Sequence, residues 1–488
     1  MADDMGYSDL SCFGSGIQTP NIDALASHGL VMTQFYNSGR CCPSRASLLT
    51  GVYQHEAGIG DMTSNRGVPS YQGYLNKRVV TIAELLKKGN YHTMISGKWH
   101  VGSHKDHWPL QRGFDRFFGF PLGGGIYFYP FRPGGLMVLD SSRIQQDDEL
   151  FYSTDAINDY ACAFLDEAEE MNKPFFLYIA HIAPHFPLQA WPEDIAKYRG
   201  KFLDGFAKNR RLRYQRMQDL HYLNDHIKLS TPDQLVLDWD GLTEIEKDSF
   251  DLRMSIYAAQ LDRLDQGLGR IFAKIKEMGQ WENTLIMFLS DNGASPEDPR
   301  GWLTNNGALG DPGCQQGYLR SWANVSNTPF RLYKHWVHEG GISTPFIAHW
   351  PAMIEVPKMD NQVGHIMDIM ATCLDIAGLA YPETWNGKEI VPLKGKSLVP
   401  VFQGNQRKGH NALFWEHEGN RAVRIGDWKL VSKYPEDSWE LYDLSSDRSE
   451  IEDLSFQYPE KVDSMRSAYD SWAKRSGVVP WKELLAGQ

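Results

Sequence analysis

Two short, densely apolar runs limit what this chain can fold into. "KPFFLYIA" (173–180) and "NTLIMFLS" (283–290) are rich in β-branched and aromatic residues and bounded by polar turns. They read as strands buried on both faces. Helical patterns alternate with them. "TPNIDALASHG" (19–29) has Pro at a first helical position, an apolar face and a closing Gly. "TIAELLKKGN" (81–90) has Thr as N-cap and lysines in its last turn. The periodic stretch 250–279 leads straight into the second apolar run. This alternation predicts an α/β domain, a large, mainly parallel sheet flanked by helices. The pattern changes after about residue 400. "ALFWEHEGNRAVRIGDWKLVSKY" reads as two or three antiparallel strands with Gly-Asn and Gly-Asp turns, and Val462, Met465, Tyr469 and Trp472 then fall on one helical face. The expected division is a main α/β domain over 1–400 and a smaller antiparallel sheet plus helix over 401–488.

Composition excludes several function classes. With 42% apolar and 23% charged residues the chain is globular, and no apolar run reaches the roughly 18–20 residues that span a bilayer. "MADDMGYSDL" shows no basic and apolar leader pattern. A net charge of −12 argues against a polyanion-binding face, so no nucleic-acid partner is expected, and an anionic substrate would need a local cluster of cations. The six cysteines (12, 41, 42, 162, 314 and 373) show no zinc spacing. Neighbouring Cys41 and Cys42 are poorly placed to bond each other.

Polar residues just after strand patterns are the candidates for chemistry, because ligands of open α/β sheets bind at the carboxyl ends of strands. Asp291 and Asn292 of "SDNGA" could meet a cation, though Asp-Asn-Gly is also ordinary turn chemistry. Asp3 and Asp4 are adjacent carboxylates that need a cation or solvent between them. Such an oxygen-rich set suits Ca²⁺ or Mg²⁺ better than Zn²⁺. Lys98 and His100 of "GKWHVG" would share one side of an extended segment. His185 stands between Pro184 and Pro187, and Lys334 precedes a glycine pair. Each alone is a weak signal, since a lone His or Lys in a loop is most often a solvated or structurally bonded residue. Together with Arg45 they would make a cationic pocket for a tetrahedral anion. Cys41, near Arg45, could be an activated thiolate.

Cys41-Cys42-Pro43-Ser44-Arg45, continuing to Leu49-Thr50-Gly51, resembles the sulfatase signature C-x-P-S-R-x-x-x-L-T-G. "ADDMGYSDLSCFG", "GKWHVG", "APHFPLQA", "SDNGA", "EGGISTPFIAHWP" and "MDIMATCLDIAG" follow the family's order, and the C-terminal part is similar to bacterial arylsulfatases. The chain is thereby identified as a member of the type I, formylglycine-dependent sulfatases of the alkaline phosphatase superfamily. The resemblance implies that a maturation enzyme oxidises Cys41 to Cα-formylglycine, with Cys42 merely filling the x position. It implies that Asp3, Asp4, Asp291 and Asn292, with the matured residue 41, hold Ca²⁺ or alternatively Mg²⁺. The hydrated aldehyde would attack sulfur and form a covalent sulfate. Arg45 would hold the diol, while Lys98, Lys334 and His185 would bind the sulfate oxygens. His185 would also serve the leaving oxygen, and His100 would deprotonate the second hydroxyl to release sulfate.

The implied substrate is a sulfated small molecule or glycan, and the implied location of the full-length form is periplasmic or secreted. Aromatics in 123–135 and the excursions 203–249 and 295–330 could stack on its ring. Rival readings are a phosphonate monoester or phosphodiester hydrolase of the same superfamily, and an unmatured, non-catalytic sulfoglycan-binding protein. One departure stands out. The family carries an apolar strand directly before the Asp pair, whereas only Met1 and Ala2 precede it here. The expectation is a shortened chain with an unpaired slot in its sheet and loosely tethered Asp3 and Asp4.

Overall fold

The computed structural model describes residues 1–124, 126–128, 136–144, 151–223, 227–299, 307–354 and 357–486. Most of the aromatic stretch 123–135, and parts of both long excursions, lie outside the described residues.

The main domain carries β1 (Leu30–Tyr36), β2 (His92–Lys98), β3 (Arg116–Phe120), β4 (Val138–Leu139), β5 (Ser142–Arg143) and β6 (Phe175–Ala180). It continues with β7 (Ile286–Phe288), β8 (Ser343–His349), β9 (Lys358–Asp360) and β10 (Gly364–His365). Both dense apolar runs are therefore strands. One sheet has the order β5-β4-β3-β2-β6, and the other runs β10-β1-β8-β7 with β9 also on β1. β2 lies parallel to both β3 and β6, whereas β8 runs antiparallel to β1 and β7. The α/β architecture is borne out, with a parallel centre around β2 and an antiparallel β8, the strands falling in two sheets where one large, mainly parallel sheet was expected.

β6 and β7 both line a largely apolar cavity of about 880 Å³. The first two residues of the chain tie its walls together. The Met1 amine donates to the Ile179 carbonyl at 2.9 Å, and the Ala2 N–H donates to that of Leu289 at 2.9 Å. This threading delivers Asp3 and Asp4 to the carboxyl ends of β6 and β7.

The helices follow local signals. Ile82–Lys88 begins with a capping box between Thr81 and Glu84. The longest helix, Glu244–Glu277, starts before the expected 250 because Thr243 and Glu246 form a second capping box. It is joined to the helix Ser153–Glu170 by Arg263, which makes two 2.7 Å bonds to Asp155.

A small hairpin, β11 (Thr384–Trp385) with β12 (Lys388–Glu389), precedes the C-terminal sheet of β13 (Leu413–His417), β14 (Asn420–Ile425), β15 (Trp428–Ser432) and β16 (Trp439–Asp443). All its pairings are antiparallel. Gly426 and Asp427 form the β14–β15 turn as expected. The β13–β14 turn falls one residue earlier than expected, on Glu418 and Gly419, because Asn420 already pairs with His417. The helix Pro459–Ser476 buries Met465, Tyr469 and Trp472, the last stacked on Phe414 at 5.1 Å. Buried ion pairs clasp this sheet to the main domain. Lys429 Nζ lies 3.0 Å from Glu339 and 2.7 Å from Glu450, and Arg448 also reaches Glu339 at 3.1 Å.

Several buried histidines make the fold acid-sensitive. Burial pushes His181 and His365 down to about 3 and His417 to about 4. Each is neutral when folded but takes a proton once unfolded, so its contribution is intact above the ordinary value near 6.5 and is lost as pH falls below it. Each one loses about 2 kcal/mol between pH 7.5 and 5. Urea midpoints are expected to fall steeply over that interval. A flat profile would show these rings to be solvated.

Candidate active site

The site is assembled where β2, β6 and β7 end. Asp3 and Asp4 arrive from the N-terminus, Asp291 and Asn292 follow β7, Lys98 closes β2, and His185 follows β6. Cys41 opens the helix Cys41–Thr50, which carries Arg45 one turn on, and Lys334 precedes β8. All ten predicted residues lie in this region, each less than a tenth exposed.

Their pairing is specific. Lys98 Nζ donates to Asp3 Oδ2 at 2.6 Å. Arg45 bonds Asp291 Oδ2 through Nε at 3.0 Å and Nη2 at 2.7 Å, while Nη1 donates to the Lys98 carbonyl at 2.9 Å. Lys334 Nζ bridges Asp4 Oδ2 and Glu297 Oε2, both at 2.9 Å. Asn292 Nδ2 donates to Asp4 Oδ1 at 2.7 Å. Asp3 and Asp4 are thus firmly held, contrary to the expectation of loose tethers, because two lysines fix them.

His185 donates from Nδ1 to the Phe186 carbonyl at 2.6 Å, which leaves Nε2 facing Asp4 Oδ2 at 3.4 Å. His100 reaches the site differently from expectation. Its φ of 58° is left-handed, so a backbone turn, rather than two-residue alternation, brings it to Cys41 beside Lys98. Gly123 makes room for the ring, since a Cβ there would come within 2.3 Å of it.

The electrostatics separate neighbouring groups. Burial raises Asp291 to about 8, with Asp3 adding to the effect and Arg45 opposing it. Asp3 is held at about 2, because Lys98, His185 and Arg45 together outweigh burial. The Cys41 thiol is pulled well below its ordinary value, mainly by a hydrogen bond from Cys42, with Lys98 and His100 overcoming burial. Burial pushes Cys42 well up. The two thiols are chemically distinct although adjacent.

A hard divalent cation fits this donor set. Asp3 Oδ1 and Asn292 Oδ1 are buried without a hydrogen-bond partner among the described residues. Unpaired buried oxygens are costly, and two of them beside repelling carboxylates suit an oxygen-seeking ion. Around the site Asp3, Asp4, Asp291 and Glu297 pair with Arg45, Lys98, Lys334 and Arg40, and Asp291, raised by burial, would ionise fully once a cation sits beside it. A divalent ion would therefore tip the balance toward binding an anion.

Sequence reading missed Arg40 and Glu297. Arg40 Nη1 lies 3.0 Å from Glu297 Oε1, so this carboxylate joins the residue before Cys41 to Lys334. Position beside the Cys-x-Pro-Ser-Arg string could have flagged Arg40. Nothing in local pattern marks Glu297.

Comparison with known proteins finds relatives along nearly the whole chain. The Sulfatase family matches residues 1–379, and the family of the N-sulphoglucosamine sulphohydrolase C-terminal region matches 330–468. An arylsulfatase of Klebsiella aerogenes is 33% identical over 428 residues, covering 83% of this chain and 92% of its own. An uncharacterised sulfatase of Schizosaccharomyces pombe is 34% identical, covering 98% of this chain and 93% of its own. Among solved structures, Ps i-CgsB in complex with k-i-k-neocarrahexaose superposes with a TM-score of 0.72 at 27% identity, over 97% of this chain and 91% of that one.

Proposed function

Because the chain belongs to the sulfatase family, type I, of the alkaline phosphatase superfamily, it is a sulfate-ester hydrolase, and we propose that it works through residue 41 matured to formylglycine beside a bound Ca²⁺ or Mg²⁺. The observation that carries this reading is the convergence of Cys41, Arg45, Lys98, His100, His185 and Lys334 on the Asp3–Asp4–Asp291–Asn292 oxygen cluster.

Asp3, Asp4, Asp291 and Asn292 would hold the ion, with residue 41 at its edge. Bound there, the ion lowers the pKa of a coordinated hydroxyl and neutralises charge on sulfate oxygens. The aldehyde hydrate of residue 41 supplies the nucleophile and afterwards expels sulfate by re-forming its carbonyl, which neither a serine nor a thiol can do. Arg45, locked onto Asp291, orients residue 41. Lys98, anchored on Asp3, and Lys334, anchored on Asp4 and Glu297, stabilise charge gathering on the transferring group. His185 presents Nε2, with Nδ1 committed to the backbone, so it is oriented to serve the leaving oxygen. Burial holds His100 at about 4, so it is a neutral base at pH 7, placed to take the proton that frees sulfate.

The test uses protein matured by a formylglycine-generating enzyme and loaded with Ca²⁺. Hydrolysis of 4-nitrophenyl sulfate is expected, lost on chelation and restored by the ion, with an aryl phosphonate monoester turned over more slowly. Faster turnover of the phosphonate would move the assignment to that branch of the superfamily. No turnover of any sulfate would sink it.

A further inference from the structure

The catalytic reading gives Cys42 no part, since it only fills the x position of the Cys-x-Pro-Ser-Arg string. Yet its sulfur belongs to a compact group. One ligand atom each from Cys41, Cys42 and His100 all lie within 4.8 Å of one another. Metal–sulfur bonds of about 2.3 Å put two ligands of one ion up to about 4.6 Å apart, so a single ion reaches all three after small side-chain shifts.

Two segments of the chain build this group. Cys41 and Cys42 are the first two residues of the helix Cys41–Thr50, and a helix N-terminus favours the thiolate form. His100 is brought beside Cys41 by its left-handed backbone, φ 58°. The three residues are only 2%, 0% and 7% exposed. His100 Nδ1 is buried without a hydrogen-bond partner among the described residues, a cost that a bound cation would remove.

The donor set selects the ion. Two sulfurs and an imidazole are soft ligands, unlike the carboxylate and amide oxygens of the neighbouring cluster, and they suit Cu⁺ or Zn²⁺ rather than Ca²⁺ or Mg²⁺. Zn²⁺ almost always takes four ligands, and no fourth His, Cys or carboxylate joins this group among the described residues. Lys98 and Arg45 also act on Cys41 with their positive charge, so a monovalent ion meets less repulsion than a divalent one. Burial keeps the Cys42 thiol protonated when no ion is bound. Coordination sends that proton to solvent, because a metal-bound thiol is deprotonated outright.

We propose that the chain with an unmodified Cys41 binds one Cu⁺ ion through Cys41 Sγ, Cys42 Sγ and the His100 ring. This site does not rest on the sulfate-ester reading. Conversion of residue 41 to formylglycine would remove one of its three ligands, so the ion and maturation exclude each other. The experiment titrates reduced, unmatured wild type with Cu⁺, without oxygen, against the chromophoric Cu⁺ chelator bicinchoninate. Cys41→Ala, Cys42→Ala and His100→Gln are titrated beside it, with thermal melts to report folding, and X-ray absorption at the copper edge reads the ligands. Wild type should take up one Cu⁺ per chain, surrounded by two sulfurs and one imidazole nitrogen, and an equal concentration of Zn²⁺ should not displace it. Each substitution should weaken binding ~100-fold or more, beyond the roughly 10- to 100-fold that loss of an outer partner of a metal site causes. No uptake by wild type, equal affinity in a folded Cys42→Ala, an ion ligated without sulfur, or displacement by Zn²⁺ would each overturn the site. Should a variant fail to fold, the absorption spectrum of the wild type decides alone.

Discussion

Replacing Cys41 by alanine is expected to lower kcat on an aryl sulfate by ~10⁴-fold or more, because alanine lacks the thiol whose oxidation, in the proposed maturation, turns Cβ into the aldehyde. The neighbouring thiol supplies the control. Cys42 is fully buried in the same helix turn, and burial keeps it protonated, so it cannot substitute as a nucleophile. Cys42→Ala should retain activity within about 10-fold, the loss reflecting a small cavity and the missing hydrogen bond to residue 41. Mass spectrometry of the peptide containing residue 41 reads out maturation in each variant independently of turnover. Undiminished hydrolysis by Cys41→Ala would show that a different nucleophile does the work.

Arg45→Met is expected to strike both stability and activity. The guanidinium is wholly buried, bonded twice to Asp291 and 3.7 Å from Asp3. Removing it leaves two carboxylates facing each other without their shared cation, a loss of roughly 3–5 kcal/mol in unfolding free energy. If Arg45 orients residue 41 as proposed, the same change should cut kcat by ~10²–10³-fold. Ca²⁺ separates the two effects. The ion should restore much of the lost stability by neutralising Asp3 and Asp291, since anything that binds only the folded state stabilises it. It should not restore kcat, because no ion replaces a planar fork of donors. Thermal melts with and without Ca²⁺, together with kinetics, check this. If Ca²⁺ restores neither, the cluster does not hold the ion.

Much of the fold was legible because the signals are local. The runs at 173–180 and 283–290 hold the strands Phe175–Ala180 and Ile286–Phe288, so their composition marks them. Most residues of both strands are only half-buried, because they line the cavity between them, and are not sealed as the sequence led one to expect. Thr81 and Glu84 announce a helix start through a contact three residues long. The β13–β14 turn was misplaced by one residue because Glu418 and Asn420 flank the same glycine, and only strand register decides which of them turns. Lys98 and His100 were grouped correctly for the wrong geometric reason. The left-handed backbone at His100, whose ring lies against Gly123, has no signature in "GKWHVG".

Residue order along the chain, through its resemblance to the sulfatases, was enough to propose the chemistry: a cysteine in a Cys-x-Pro-Ser-Arg string, oxygen donors after a strand, and basic residues to answer a negatively charged ester. Those are properties of side-chain type and short spacing, and they survive without coordinates. The folded chain alone showed which charge answers which, as in Lys98 with Asp3, Arg45 with Asp291, and Lys334 shared between Asp4 and Glu297. It alone carried a hairpin from the C-terminal sheet to the rim of the site. Such contacts join residues tens to hundreds of positions apart, and their partners are chosen by sheet order and burial, which no local pattern encodes.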